Sequence, residues 1–282
     1  MTNSQAMNLQ MTAHAVYDLP APLTVLLQIE VAELPLQPLL SEELSFSPDI
    51  KAERFRDIFA NRNRRFCAPA GRLEINYNAV VNLSETIVPD PSTPEVPLAE
   101  MPPEVVLLTM PSRYCESDRL VKVALDLFGS GPHGAQRVMD ICDWIRTHVT
   151  YEYGHTTSST SAFDMVTERV GVCRDFSHLA IAFCRALNIP ARYAAGYCLE
   201  LDPPDFHAYF QAYLAPPPGF EDGTGWWYNF DATYERVRHG LVNISVGRDA
   251  VDTSMMTFYG TAKLVEQKVT VEEVTQNDGA AD

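Results

Sequence analysis

At 282 residues, with 46% hydrophobic and 10% aromatic content, the chain is long enough for one large domain or two ordinary ones and too apolar for wholesale disorder. A formal net charge of −16 and a pI near 4.8 argue against a non-specific nucleic-acid binder or a protein of anionic membrane surfaces, since both need clustered Lys and Arg. The start lacks a basic segment followed by an apolar run, and no window has the apolar length of a membrane span, so a cytosolic, reducing location is expected. Six cysteines (Cys67, Cys115, Cys142, Cys173, Cys184 and Cys198) then read as free thiols. There is no C-x-x-C and no H-E-x-x-H, and neither a metal nor a cofactor is expected.

The first hundred residues read as β-rich. In "RLEINYNAVVNL", Leu73, Ile75, Tyr77, Ala79 and Val81 alternate with polar residues, the period of a half-buried strand. "LTVLLQIEV" and "ELSFS" are shorter strand candidates, and "ANRNRRFCAPAG" reads as a turn. Short strands punctuated by Pro and Gly predict a β-sandwich-like domain over residues 1–100. It ends in a connector, "PDPSTPEVPLAEMPP" at 89–103, whose six prolines exclude a regular helix or interior strand.

Beyond the connector the period becomes helical, and residues 101–282 read as a second domain. Ser117 is placed to cap a helix through about Phe128, with Leu120, Ala124, Leu127 and Phe128 inward. A second helix, 135–148, aligns Val138, Ile141, Cys142, Ile145 and Val149. A third starts at Ser161, with Asp164 three residues on, and ends at Gly171; a fourth runs from Cys173 to about Leu187, stopped by Asn188 and Pro190. Three strand-like runs follow, "ARYAAGYCLE", "FHAYFQAYL" and "GWWYNFD", so this half reads as α+β. The acidic tail "TVEEVTQNDGAAD" reads as a frayed end.

Cys173 has two readings. It shares a helix face with Ser177, Ala180, Cys184 and Leu187, and free cysteine usually packs as a small hydrophobe. Yet it also opens a helix, where unpaired N–H groups and the dipole favour a thiolate and can hold the oxyanion of an attacked carbonyl. A nucleophile needs a base, and the local groups point elsewhere. His178 lies ~140° and Asp175 ~200° around the helix from Cys173, so each reads as a surface or capping group. His207, on the middle strand, is the best-placed base. Asp231, ending the next strand, lies within reach to orient its imidazole, because antiparallel neighbours are ~4.8 Å apart.

"GVCRDFSHLAIAFCRALNIPARYAAGY", "FHAYFQAYL" and "WWYNFDATY" together resemble the transglutaminase-like superfamily, whose core is papain-like, and the bacterial branch in particular. The later "VGRDAVDTSMMTFYGTAK" is similar to a segment that follows that core. The resemblance implies a papain-like α+β core after an N-terminal β domain, and a Cys173–His207–Asp231 triad. Tyr209 stands where the family usually has Trp, and Ala232 where it usually has Pro, which touches packing more than chemistry.

The implied reaction is cysteine-based cleavage of a peptide or protein amide through an acyl-enzyme, a peptidase or amidase activity. The oxyanion is expected at the Cys173 N–H and one further donor, for which Tyr153 is a candidate as well as an ordinary packed aromatic. Transglutaminase-type transfer to an amine, or a non-catalytic peptide-binding domain, are the alternatives. The chain shows no EF-hand-type calcium loop of the kind animal transglutaminases pair with a four-domain build. Nothing in the sequence fixes an oligomeric state.

Overall fold

A computed structural model describes residues 6–220, 223–235 and 238–274. The N-terminal strands are β1 (Met7–Leu19), β2 (Leu23–Leu27), β3 (Leu39–Ser47), β4 (Glu53–Arg56), β5 (Arg62–Ala68) and β6 (Gly71–Leu83). They belong to two four-stranded antiparallel sheets that face each other as a sandwich. Leu9 and Met11 of β1 and Leu73, Ile75 and Tyr77 of β6 bury against Val25 and Leu27 of β2 and Phe66 of β5. The alternation in β6 is the cause: one face inserts into the core while Arg72, Asn76 and Asn78 stay outside.

The segment expected as a turn, "ANRNRRFCAPAG", contains β5. Two of its arginines, Arg62 and Arg64, are paired inside the sandwich. Arg64 donates from Nε and Nη2 to Glu30 at 2.7 and 2.6 Å, and Arg62 contacts both Glu30 and Glu42. A buried arginine is tolerated only with such partners, and those partners lie more than twenty residues away or on other strands, so no local pattern betrays the strand.

The proline-rich connector is held along its length. Glu95 bridges to the backbone of Leu214 and accepts hydrogen bonds from Gly134 N–H (3.0 Å) and Arg137 Nη1 (3.3 Å). Val96, Met101 and Val105 bury against Tyr213, the last from a short helix α1 (Pro103–Val106).

Next come α2 (Ser117–Phe128), α3 (Ala135–His148), a strand pair formed by β7 (Thr150–Tyr151) and β8 (Val170–Gly171), α4 (Ala162–Glu168) and α5 (Cys173–Ala186). Leu120, Ala124 and Phe128 of α2 face inward, but Leu127, expected with them, is 41% exposed on the shoulder of that face. Helix α4 ends earlier than expected, at Arg169 in a left-handed conformation (φ 53°), which leaves Gly171 to β8. From Asp175 to Arg185 every residue of α5 is buried, the mark of a helix enclosed on all sides.

One side of α5 meets the other helices. The other meets a sheet of β9 (Ala191–Cys198), β10 (Phe206–Leu214), β11 (Trp226–Phe230) and β12 (Leu241–Gly247), in the order β11-β10-β9-β12. The chain thus has a helical layer on an antiparallel sheet, an α+β core preceded by a β domain. The last strands, β13 (Met256–Tyr259) and β14 (Lys263–Glu273), return to the sandwich: β13 pairs with β2, and β14 with β1. A boundary at residue 100 therefore leaves out two strands of the first sandwich, contributed by the expected catalytic half. Tyr197, Val242 and Ile244 also enter the sandwich core. Part of the tail expected to fray is ordered in β14; residues 275–282 lie outside the described residues.

Candidate active site

Cys173 sits where β8 turns into α5. At Gly171, two residues earlier, a Cβ would stand 2.7 Å from Met165 Cε and 2.8 Å from Asp175 Cβ, so only glycine lets this strand approach the helix start. Asp175 fastens the turn: its buried carboxylate accepts from Val172 N–H (3.1 Å), Thr156 Oγ1 (2.8 Å) and the Arg174 guanidinium (2.7 Å). It is a capping group, but not a surface one. Cys173 is partly exposed and lines a cavity of about 360 Å³ together with Tyr114, Tyr193, His207 and Met255.

His207 and Asp231 meet on the neighbouring strands. His207 Nε2 lies 2.7 Å from Asp231 Oδ2, with both side chains 1% exposed. Asp231 also accepts from Thr233 N–H (2.8 Å), Thr233 Oγ1 (2.6 Å) and Arg238 Nε (2.9 Å). His207 Nδ1 is buried and has no hydrogen-bond partner among the described residues, and the His207 side chain interacts with the Cys173 thiol across the cavity that both line. Burial opposes the imidazolium, but Asp231 and Cys173 outweigh it and raise His207 to about 9. Burial likewise works against the Asp231 carboxylate, and His207 and Thr233 overcome it, holding the group at about 2. The structure brings Cys173, His207 and Asp231 together in one cluster.

The residue beside the cysteine backbone is Tyr151, not Tyr153. Tyr151 interacts with the backbone and the thiol of Cys173, and burial followed by the charge of Cys173 raises its pKa. Tyr153 is 59% exposed and packs edge-on against the Tyr151 ring, its hydroxyl 3.4 Å from that of Tyr151. Both tyrosines share one parity, and the choice falls to Tyr151 because β7 pairs it with Gly171.

His178, expected at the surface, is fully buried between the rings of Tyr114 and Tyr193. Its Nε2 accepts from Ala250 N–H at 3.2 Å, and burial lowers its pKa, keeping it neutral. This contact explains the "GRDAVD" segment. Asp249 accepts from Tyr114 N–H (3.0 Å), Arg248 pairs with Asp252 (2.9 Å), and Arg185 Nη2 donates to the Arg248 carbonyl (2.6 Å). The segment is thereby pinned as one wall of the cysteine cavity, contributing Ala250, Thr253 and Met255. Arg238, Thr233 and Tyr151 were not identified as site residues from sequence. Thr233 was findable, because a hydroxyl residue two positions after an aspartate commonly closes on its carboxylate; Arg238 carries no local signal.

A helix-opening cysteine beside a histidine–aspartate pair on an antiparallel sheet makes this cluster the candidate site. Residues 122–232 match the family described as the transglutaminase-like superfamily. A solved structure, a candidate cysteine protease from Cytophaga hutchinsonii, is 36% identical and superimposes with a TM-score of 0.88, covering 97% of this chain and 93% of that one. An uncharacterized protein of Mycobacterium leprae is 26% identical over 66% of this chain and 67% of its own. One from Mycobacterium tuberculosis is 35% identical over 125 residues, 40% of this chain and 38% of its own length. The chain belongs to the transglutaminase-like superfamily.

Proposed function

We propose that the protein is a cysteine hydrolase, a peptidase or amidase, in which Cys173, His207 and Asp231 cleave amide bonds through an acyl-enzyme. The observation that carries the reading is the His207–Asp231 contact at 2.7 Å, with His207 and Cys173 lining the same cavity and the other ring nitrogen of His207 left without a hydrogen-bond partner among the described residues. The Cytophaga hutchinsonii relative is consistent with it. The Cys173 sulfur attacks the amide carbonyl and forms a C–S bond, while the π electrons move to oxygen. The Cys173 N–H and the Tyr151 hydroxyl hold that oxyanion. Collapse expels the amine, which takes its proton from His207 Nδ1. Neutral His207 then removes a proton from water; the resulting hydroxide attacks the thioester, and the thiolate leaves as the acid is released.

The substrate is a peptide or protein amide, entering a cavity lined by Tyr114, Tyr193, Phe206 and Met255. A reducing, cytoplasmic compartment is supported by six cysteines that all stand free of disulfides. Among the described residues no helix is long and apolar enough to cross a membrane. The test is a peptide-library screen of amide hydrolysis with parallel amine-incorporation assays, run on the protein and on Cys173→Ala. Hydrolysis in the first and none in the second is expected. Full activity in Cys173→Ala overturns the assignment, and incorporation outpacing hydrolysis moves it to transfer.

A further inference from the structure

The face of the catalytic sheet turned away from α5 holds a second cavity, of about 320 Å³, which shares no lining residue with the one at Cys173. Across it runs a row of polar side chains in register: Arg192 of β9, Gln211 of β10 and Asn229 of β11. Arg192 Nε donates to Gln211 Oε1 at 2.7 Å, and Gln211 Nε2 donates to Asn229 Oδ1 at 2.7 Å. The guanidinium carbon of Arg192 stands 4.2 Å from the centre of the Trp227 ring, and Trp226 also lines the cavity. Tyr209, next along β10 on the same face, is fully buried, and its hydroxyl has no hydrogen-bond partner.

Two features of this cluster call for an anion. Among the described residues Arg192 makes no ion pair, and its hydrogen bonding stops at Nε, leaving both terminal nitrogens uncommitted. Burial pulls its pKa down to about 10, a cost that a docked anion relieves. The Tyr209 hydroxyl is a second donor lacking an acceptor, and a buried polar group is normally satisfied. The lone acidic side chain in the lining, Glu85, is exposed and pairs with neither.

We propose that this cavity binds a small monocarboxylate on an apolar or aromatic body. The carboxylate lies against the Arg192 fork and the Tyr209 hydroxyl, and the body lies against Trp226 and Trp227. A planar guanidinium matches a carboxylate with two parallel N–H···O bonds. One arginine and one phenol suit a single negative charge, where a phosphate dianion calls for more cations. The aromatic walls and the leucine-rich loop at 34–36 select an apolar remainder.

The two cavity tryptophans report occupancy. Phenylacetate, hexanoate and N-acetylphenylalanine are titrated by intrinsic tryptophan fluorescence, each beside its primary amide. Trp144→Phe removes the only other tryptophan. A saturable change is expected for at least one of the acids, with its amide at least ~10-fold weaker because the charge-assisted bonds are lost. Arg192→Gln should weaken the acid ~10-fold or more, and Tyr209→Phe, which keeps the ring packing, a few-fold. Glu85→Gln should tighten it by removing a like charge. Cys173→Ala should leave affinity unchanged. Should Arg192→Gln fold poorly by circular dichroism, Arg192→Lys keeps the charge and should still prefer acid to amide. No saturable response to any of the three acids, amides binding as tightly as acids, or a folded Arg192→Gln of unchanged affinity each overturns the proposal.

Discussion

Among the six thiols, Cys173 and Cys67 are the two that solvent reaches. Burial raises the other four: Cys115 to about 12, Cys198 to about 11, and Cys142 and Cys184 well above their ordinary range. Limiting iodoacetamide at neutral pH should therefore modify Cys173 first and Cys67 next, with the rest silent. Peptide mapping checks the order, and a Cys173 no faster than Cys67 counts heavily against a nucleophile. The His207 shift sets a second expectation. Its pKa is raised to about 9, so the imidazolium that the proposed mechanism uses to protonate the leaving amine persists through neutral pH and is lost as pH rises through 9. The acylation rate should fall on that limb. In Asp231→Asn the largest support for the raised value disappears, so the limb should move toward ~6.5 and turnover should drop, on the order of 10³-fold or more. A limb unmoved in that variant means another group controls it. Linkage has the same signs. The His207 contribution to stability is complete below ~6.5 and fades as pH rises through about 9. That of Asp231 is complete above ~3.8 and fades as pH falls toward about 2.

The loop between β8 and α5 is where one element positions another. Gly171→Ala pushes a methyl against the Asp175 Cβ, 2.8 Å away, which belongs to a rigid helix turn, and against Met165, whose tip can yield. Overpacking of this kind costs ~1–3 kcal/mol, and in the proposed mechanism it displaces the Cys173 N–H that would meet the oxyanion. We expect a lower urea midpoint and a kcat that falls more than KM rises. An unchanged midpoint would falsify the close-packing account. Much of this element order was legible. The alternation of β6, the periodicity of α3 and the stop at Asn188, whose φ is +63°, follow from nearest neighbours along the chain. Strand β5 was not legible, because its arginines are made tolerable by Glu30 and Glu42, which only the folded sandwich brings near.

At the scale of the whole molecule, the last described strands lock the two halves together. Strand β14 covers the outer edge of β1 and buries Val269. Truncation after Tyr259 should expose a thirteen-residue edge, lower the melting temperature by more than ~4 °C from the lost Val269 burial alone, and promote aggregation. A truncated chain melting like the parent would show that the sandwich closes without β14. By itself the sequence determined the order of a helix-opening cysteine, a strand histidine and a strand-end aspartate, since each depends on local periodicity and on residues a few positions apart. Only the tertiary structure decided that Tyr151 rather than Tyr153 meets Cys173, that Arg238 joins Asp231, that His178 is enclosed, and that β13 and β14 go back to the first domain. Apart from the Arg238–Asp231 contact, seven positions apart, those outcomes rest on pairings between residues tens to hundreds of positions apart, where competing registers differ by burial and hydrogen bonding that no local window contains.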